Sequence, residues 1–195
     1  MPDPTFDPPR IALLVLDYQP VVLDPLPDAS DLLKHTRQAI DTVRQAGGHV
    51  GYVRVGFEEA DYPGVPATNA LFRGVAAARA LPAAAPQTAI HPDVAPEPSD
   101  FVVRKTRIGP FTGTALDQQL RGRGVDTVVI AGLHTSGAVL STVRHAFDLD
   151  YRIVLLTDCV ADPDPEVHRV LVEKVLARQA VLATSESLAG LLGAE

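Results

Sequence analysis

Four short apolar runs in this chain end in residues able to do chemistry. IALLVL ends in Asp17, FVVR in Lys105, and RIVLLT in Asp158-Cys159, while DTVVIA runs into the turn Gly132–Ala138, GLHTSGA. An acid, a cation and a turn rich in backbone N–H groups would all project toward one crevice, where an acid and a cation can move and hold protons. A nucleophile would complete such a site, yet Gly137 and Ala138 carry no reactive side chain. Ser136 stands in T-S-G and lacks the first glycine of a G-x-S-x-G elbow.

Each of these residues also has a plainer role. Asp17 in LDYQP reads equally well as a cap for the turn that Pro20 enforces, and for Lys105, among the other cations of RKTR, a solvated surface lysine is the more common outcome. Thr135 and Ser136 are both common helix N-caps. Cys159 lies in LTDCVADPDP, where Asp158 and Asp162 oppose a thiolate, so it reads as a buried, inert thiol in a loop.

Other chemistries lack support. The six histidines (35, 49, 91, 134, 145 and 168) form no H-E-x-x-H and no Asp-x-His pair, so no metal site is expected. Only His134, within the turn, is placed to reach the crevice. No G-x-G-x-x-G or G-x-x-x-x-G-K-[ST] follows a strand, so no cofactor is expected. A net charge of −7 with scattered Lys and Arg argues against nucleic acid. No apolar run approaches the roughly 20 residues of a membrane span, and a single cysteine excludes an internal disulfide. The opening MPDPTFDPPR is polar and proline-rich, unlike a secretory leader. These features imply a soluble, cytoplasmic protein with a small-molecule substrate, built as one domain over residues 1–195 with a flexible segment at 1–10.

The elements that must position these residues follow from periodicity. Strands are expected at Ile11–Leu16, His49–Val55, Phe101–Arg104, Asp126–Ala131, Arg152–Leu156 and Ala180–Ala183. Helices are expected at Asp31–Ala46 (with Ser30 as N-cap and Gly47-Gly48 as the stop), Thr114–Arg123, Ala138–Asp148, Pro165–Ala177 and from Ser185. Residues 56–98 form an irregular Pro/Ala/Gly-rich excursion with one short helix near Ala67–Ala80, and such excursions often shape binding sites. Strands separated by single helices pair in parallel through right-handed crossovers. The expected architecture is a three-layer α/β/α sandwich with a parallel, Rossmann-like sheet of about six strands. In such a sheet, ligands bind beyond the carboxyl ends of the strands, where Asp17, Lys105 and the 132–138 turn all lie.

Three blocks in order, LLVLDYQ, VVRKTRIGPFTGTALDQQLRGRGVDTVVIAG and HTSGAVLSTVRHAFDLDYRIVLLTDCVAD, resemble the isochorismatase-like hydrolase superfamily, which includes cysteine amidohydrolases. The likeness runs from about Ile11 to the C-terminus. It implies an Asp-Lys-Cys triad in which Asp17 and Lys105 match, the latter in K-x-R-x-x-x-F-x-G-T, and Ala138 stands at the nucleophile position. It also implies a non-proline cis peptide at Leu133-His134 and an oxyanion site built from Leu133, His134, Thr135, Ser136 and Gly137. Phe57 and Phe111 are expected to line an apolar wall, with Gln19 and Ser136 as hydrogen-bonding groups. No metal is implied, since VRVGFEEADYPG lacks the Asp-x-His segment of nicotinamidases. A homodimer or homotetramer is implied. For activity, three readings stay open: C–N hydrolysis in a form whose native residue 138 is cysteine, a non-covalent Asp/Lys route of the vinyl-ether type with alanine native, and a ligand-binding pseudoenzyme.

Overall fold

The structure is a computed structural model and describes residues 6–193. Six strands, β1 Ile11–Leu16, β2 His49–Val55, β3 Phe101–Lys105, β4 Thr127–Leu133, β5 Arg152–Ala161 and β6 Val181–Ala183, pair in parallel in the order β3-β2-β1-β4-β5-β6. The helices are α1 Pro20–Leu23, α2 Ser30–Gln45, α3 Phe72–Ala77, α4 Leu116–Gly122, α5 Leu140–Asp148, α6 Pro165–Val170 and α7 Leu188–Leu191.

β1 and β4 are apolar on both faces because both faces are covered. Side chains alternate along β1: Leu13 and Val15 pack with Ile40 and Val43 of α2 and Leu188 of α7. Leu14 and Leu16 pack on the opposite face with Leu120 of α4 and Val143 of α5. The expected α/β/α sandwich is thus observed. The chain starts at β1, builds outward to β3, then returns to add β4 on the other side. That reversal opens a crevice above the β1–β4 junction. Gly132 permits the close approach there, since a Cβ on it would meet the Leu16 Cβ at 2.6 Å.

Several bounds differ from expectation for local reasons. Ser30 is the first residue of α2 rather than its cap; Asp28 Oδ1 accepts from Ser30 N at 2.9 Å and from its hydroxyl at 2.8 Å. Gly47, at φ +83°, does end α2 in the left-handed conformation, with Gly48 N donating to Val43 O. β5 runs through Thr157, Asp158 and Cys159 to Ala161, so these residues lie inside a strand and not in a loop after it. Leu155 pairs with Ile130 and Val160 with Gly132, so β5 bulges outward between them. The polar side chains in the bulge are satisfied by the next segment: Thr157 donates to Ala183 O, and Asp158 accepts from the N–H and hydroxyl of Ser185.

The helix expected from Ala138 opens instead as a wide π-helical turn, Thr135–Val139, before α5. The one expected over Pro165–Ala177 divides into α6, a second π-helical turn (Leu171–Val175) and a 3-10 turn (Leu176–Arg178). Of the segment expected to be flexible, residues 1–5 lie outside the described residues. Phe6, by contrast, is buried and donates its N–H to Leu191 O at 3.0 Å. Among the described residues no helix is long and apolar enough to cross a membrane.

Candidate active site

β1 delivers Asp17 to the crevice at its carboxyl end. The residue sits at φ +57°, a left-handed conformation that aspartate tolerates better than most side chains. Its N–H still pairs with Val53 O at 2.8 Å while its carbonyl accepts from Gln19 N at 2.7 Å, so the chain turns sharply with both backbone groups satisfied. Lys105, paired with Val55 as the last residue of β3, reaches toward the same point. Its Nζ lies 2.6 Å from Asp17 Oδ2 and donates to Ile108 O, also at 2.6 Å. Both side chains are almost fully buried.

Burial pushes the Asp17 carboxyl above the usual carboxylate range, and the Lys105 ammonium pulls the other way. Asp17 Oδ1 is buried with no hydrogen-bond partner among the described residues. An unpartnered buried oxygen costs free energy unless something else uses it.

The third component is the turn after β4. The Leu133–His134 peptide is cis, and His134 O accepts from Gly137 N at 3.0 Å and from Val139 N at 3.3 Å. His134 Nε2 lies 2.9 Å from Val22 O. A carbonyl can only accept, so Nε2 carries a hydrogen and donates it. Asp17, Lys105, Leu133, His134, Gly137 and Ala138 all line one cavity of about 340 Å³. Ala138, which lines the cavity, brings only a methyl group to it.

Five residues expected at the site do not line this cavity. Gln19 is buried beneath it as a structural clamp: its amide accepts from Val55 N and donates to Val55 O and Thr88 O. With those bonds made, Gln19 is committed to the fold. Thr135 turns away, its hydroxyl 2.9 Å from His168 Nδ1, and Ser136 gives both its N–H and hydroxyl to Asp162 Oδ2. Phe57 stacks on Tyr62 with ring centroids 5.3 Å apart, inside a separate small core. Phe111 packs against His145 and Tyr151 on the helical face. The apolar wall comes instead from Val22, Leu71, Phe72 and Val75, together with Ile108, and Arg107 lies among them. Sequence reading missed Arg107 because it was grouped with the cations of RKTR, although it falls two residues after Lys105. α3 carried no chemical signal at all.

Cys159 is fully buried in β5, with its carbonyl accepting from Tyr18, and burial pushes its thiol well above the ordinary range. It plays no part at the crevice. Among the described residues, no group of three or more His, Cys, Asp or Glu is arranged to hold a metal ion.

An acid–ammonium pair, an unsatisfied carboxylate oxygen and a backbone turn around a small cavity suit chemistry on a polarised carbonyl or ether. The sequence pattern of the isochorismatase domain matches residues 11–187, and the chain belongs to that family. An uncharacterized isochorismatase family protein of Bacillus subtilis, YwoC, is 29% identical over 177 residues, which cover 91% of each chain. The ureidoacrylate amidohydrolase RutB of Stutzerimonas stutzeri is 33% identical over 165 residues, covering 79% of this chain but only 63% of that protein. Among solved structures, N-carbamoylsarcosine amidase from Thermoplasma acidophilum is similar with a TM-score of 0.75 at 26% identity, covering 91% of this chain and 97% of that one.

Proposed function

We propose that this protein is a small-molecule hydrolase that cleaves an amide-type C–N bond by direct attack of water, with Asp17 as proton carrier and Lys105 as the cation beside it. The observation that carries this reading is the buried Asp17–Lys105 pair at the cavity, with Asp17 Oδ1 left unpartnered. In the proposed reaction a water oxygen bonds to the substrate carbonyl carbon and its proton passes to Asp17. The carbonyl π electrons become an alkoxide held by the remaining Lys105 N–H and by backbone N–H groups of the turn. Collapse of the alkoxide breaks the C–N bond, and Asp17 returns the proton to the leaving nitrogen, giving an acid and an amine.

Ala138 supplies no side-chain nucleophile, so the scheme contains no covalent intermediate. A carboxyl raised by burial holds a proton more readily and is the better matched acid for the second step. The same property suits protonation of a vinyl ether, the other substrate type that the resemblance implies. Two relatives are amide-cleaving by name, the amidohydrolase and the amidase above, and this supports a C–N bond as the target. A homo-oligomer and a cytoplasmic setting belong to the same reading; light scattering on the purified protein checks the first.

The test is a screen of amides, ureido acids, cyclic imides and vinyl ethers, followed by Asp17→Asn and Lys105→Ala on any substrate found. Each variant should abolish turnover, and undiminished rates in both sink the assignment. The Ala138 methyl favours a second reading, a ligand-binding protein that keeps the pocket without turnover. Calorimetric binding of a screened compound with no product in mass spectra would support it.

A further inference from the structure

Apart from Lys105 and the ring of His134, one basic side chain faces the cavity: Arg107. Its surroundings are apolar, with Val22 of α1, Leu71, Phe72 and Val75 around α3, and Ile108 beside it in sequence. The guanidinium lies toward the Phe72 ring, 5.9 Å from its centroid. One of its nitrogens donates to Thr106 O at 2.6 Å and another reaches Gly64 O at 3.4 Å. These are neutral acceptors, and a guanidinium has five N–H donors to place. Asp61, whose carboxyl feels the Arg107 charge, has its direct ion pair with Arg104, which also pairs with Glu58. Among the described residues Arg107 forms no ion pair. Lys105, by contrast, has its charge met by Asp17. Arg107 therefore brings to the cavity a positive charge with no direct carboxylate partner, set in an apolar wall, on a protein whose net charge of −7 repels anions at long range.

We infer that the cavity selects an amphipathic monoanion: an amide-type small molecule whose apolar body lies against α3 and whose carboxylate is taken by Arg107, with the scissile bond at Asp17–Lys105. The placement of the bond rests on the hydrolase reading above; the carboxylate subsite does not. Carboxylate fits better than a bare point anion because the planar fork of arginine binds it through two parallel N–H···O bonds. Phe72 supplies the flat apolar surface beside that fork, and the small volume limits the body to about the size of a single ring or branched chain.

The test uses two inert probes of equal shape: phenylbutanoate, and the methyl ketone in which a methyl group replaces one carboxylate oxygen. Neither has a C–N bond, so the result is independent of whether the protein hydrolyses anything. Titration followed by NMR should show the wild-type protein binding the acid at least about tenfold more tightly than the ketone, with the preference shrinking as salt rises. Arg107→Gln should bind both equally and Arg107→Lys should keep part of the preference, with thermal melts verifying that each variant is folded. If Arg107 merely pins the Gly64 loop, its loss weakens both probes alike and the preference survives. That result, a ketone bound as well as the acid by the wild-type protein, or no binding of either probe at millimolar concentration, overturns the subsite. Should Arg107→Gln fail to fold, the Arg107→Lys ratio and the salt dependence of the wild-type protein decide the matter. Loss of turnover in Asp17→Asn, tested separately, can stand or fall without it.

Discussion

His168 of α6 holds the turn after β4 from outside: its Nδ1 lies 2.9 Å from the Thr135 hydroxyl, beneath the residues that face the cavity. One residue further along, Asp162 accepts from Ser136 N at 2.8 Å and from its hydroxyl at 2.6 Å. Asp162, just after β5, and His168 of α6 therefore grip two successive residues of the π-helical turn. Neither grip touches the cavity, so both act through the geometry of Gly137 and Ala138.

Removing the first grip should misplace the turn without emptying the pocket. His168→Ala is expected to lower kcat on any substrate found by roughly tenfold or more while leaving the binding of an inert ligand nearly unchanged. Partial burial pushes the His168 pKa below its ordinary 6.5, with Asp162 opposing. The unfolded chain therefore takes up a proton near pH 6.5 while the folded protein resists until lower pH. Stability at this residue is lost as pH falls through that window and levels off below the folded value. Melting temperatures across the window should slope less in His168→Ala than in the parent. Equal slopes would remove the residue from the pH response.

The Asp17–Lys105 pair should behave as one unit in stability as well as in chemistry. Asp17→Asn keeps a residue that tolerates φ +57° but leaves the Lys105 charge buried and poorly paired, a loss of about 3–5 kcal/mol. Adding Lys105→Met removes the stranded charge, so the double variant should regain part of that loss. Urea titrations of the two single variants and the double variant measure the coupling, and strictly additive penalties would contradict it.

Gln19 should matter to folding rather than to substrate. Gln19→Leu keeps an apolar stem but strips partners from Val55 N, Val55 O and Thr88 O, and is expected to cost about 3 kcal/mol or more. Denaturant unfolding reads this directly. A loss of activity at full stability would instead return Gln19 to the site.

Restoring a sulfur tests the environment around residue 138. In Ala138→Cys the new thiol shares the cavity with the Lys105 cation and lies in the turn that leads directly into α5, so its pKa should fall below that of a free cysteine. Iodoacetamide should label it faster at neutral pH than a model thiol, with buried Cys159 unreactive in the parent as control. Labelling no faster than the model thiol would show that the pair does not activate this position.

The parts of the fold and site that could be read in advance are those written as local patterns. β1 and β2 have the expected bounds because the apolar run IALLVL stops at Asp17 and the valine- and tyrosine-bearing stretch HVGYVRV stops at Gly56. Asp17, Lys105 and the turn converge because each ends a parallel strand on the same edge of the sheet. What escaped depends on partners far along the chain. Thr157 and Asp158 look like the end of a strand until Ala183 and Ser185 are seen to satisfy them. Phe57 and Phe111 are aromatic residues near the site in sequence, yet the path of residues 56–98 and the packing of α5 decide which rings face the cavity. Gln19 resembles a ligand-binding amide until the backbone it clamps is in view. Ser30 loses its capping role to Asp28 through a shift of two residues, which no periodicity records.

The wall of the cavity that carries Leu71, Phe72 and Val75 is a graft: it belongs to no strand and is fastened to the sheet through the Phe57 backbone, which pairs with Leu81 and Ala83, and through the amide of Gln19. Leu71 and Val75 take no part in strand pairing and are not fully buried, whereas Phe72 packs in one small core with Val55 of β2. Variation at Leu71 and Val75 therefore offers a route to new substrates at little cost in folding stability, while the proton-handling groups stay where the sheet puts them.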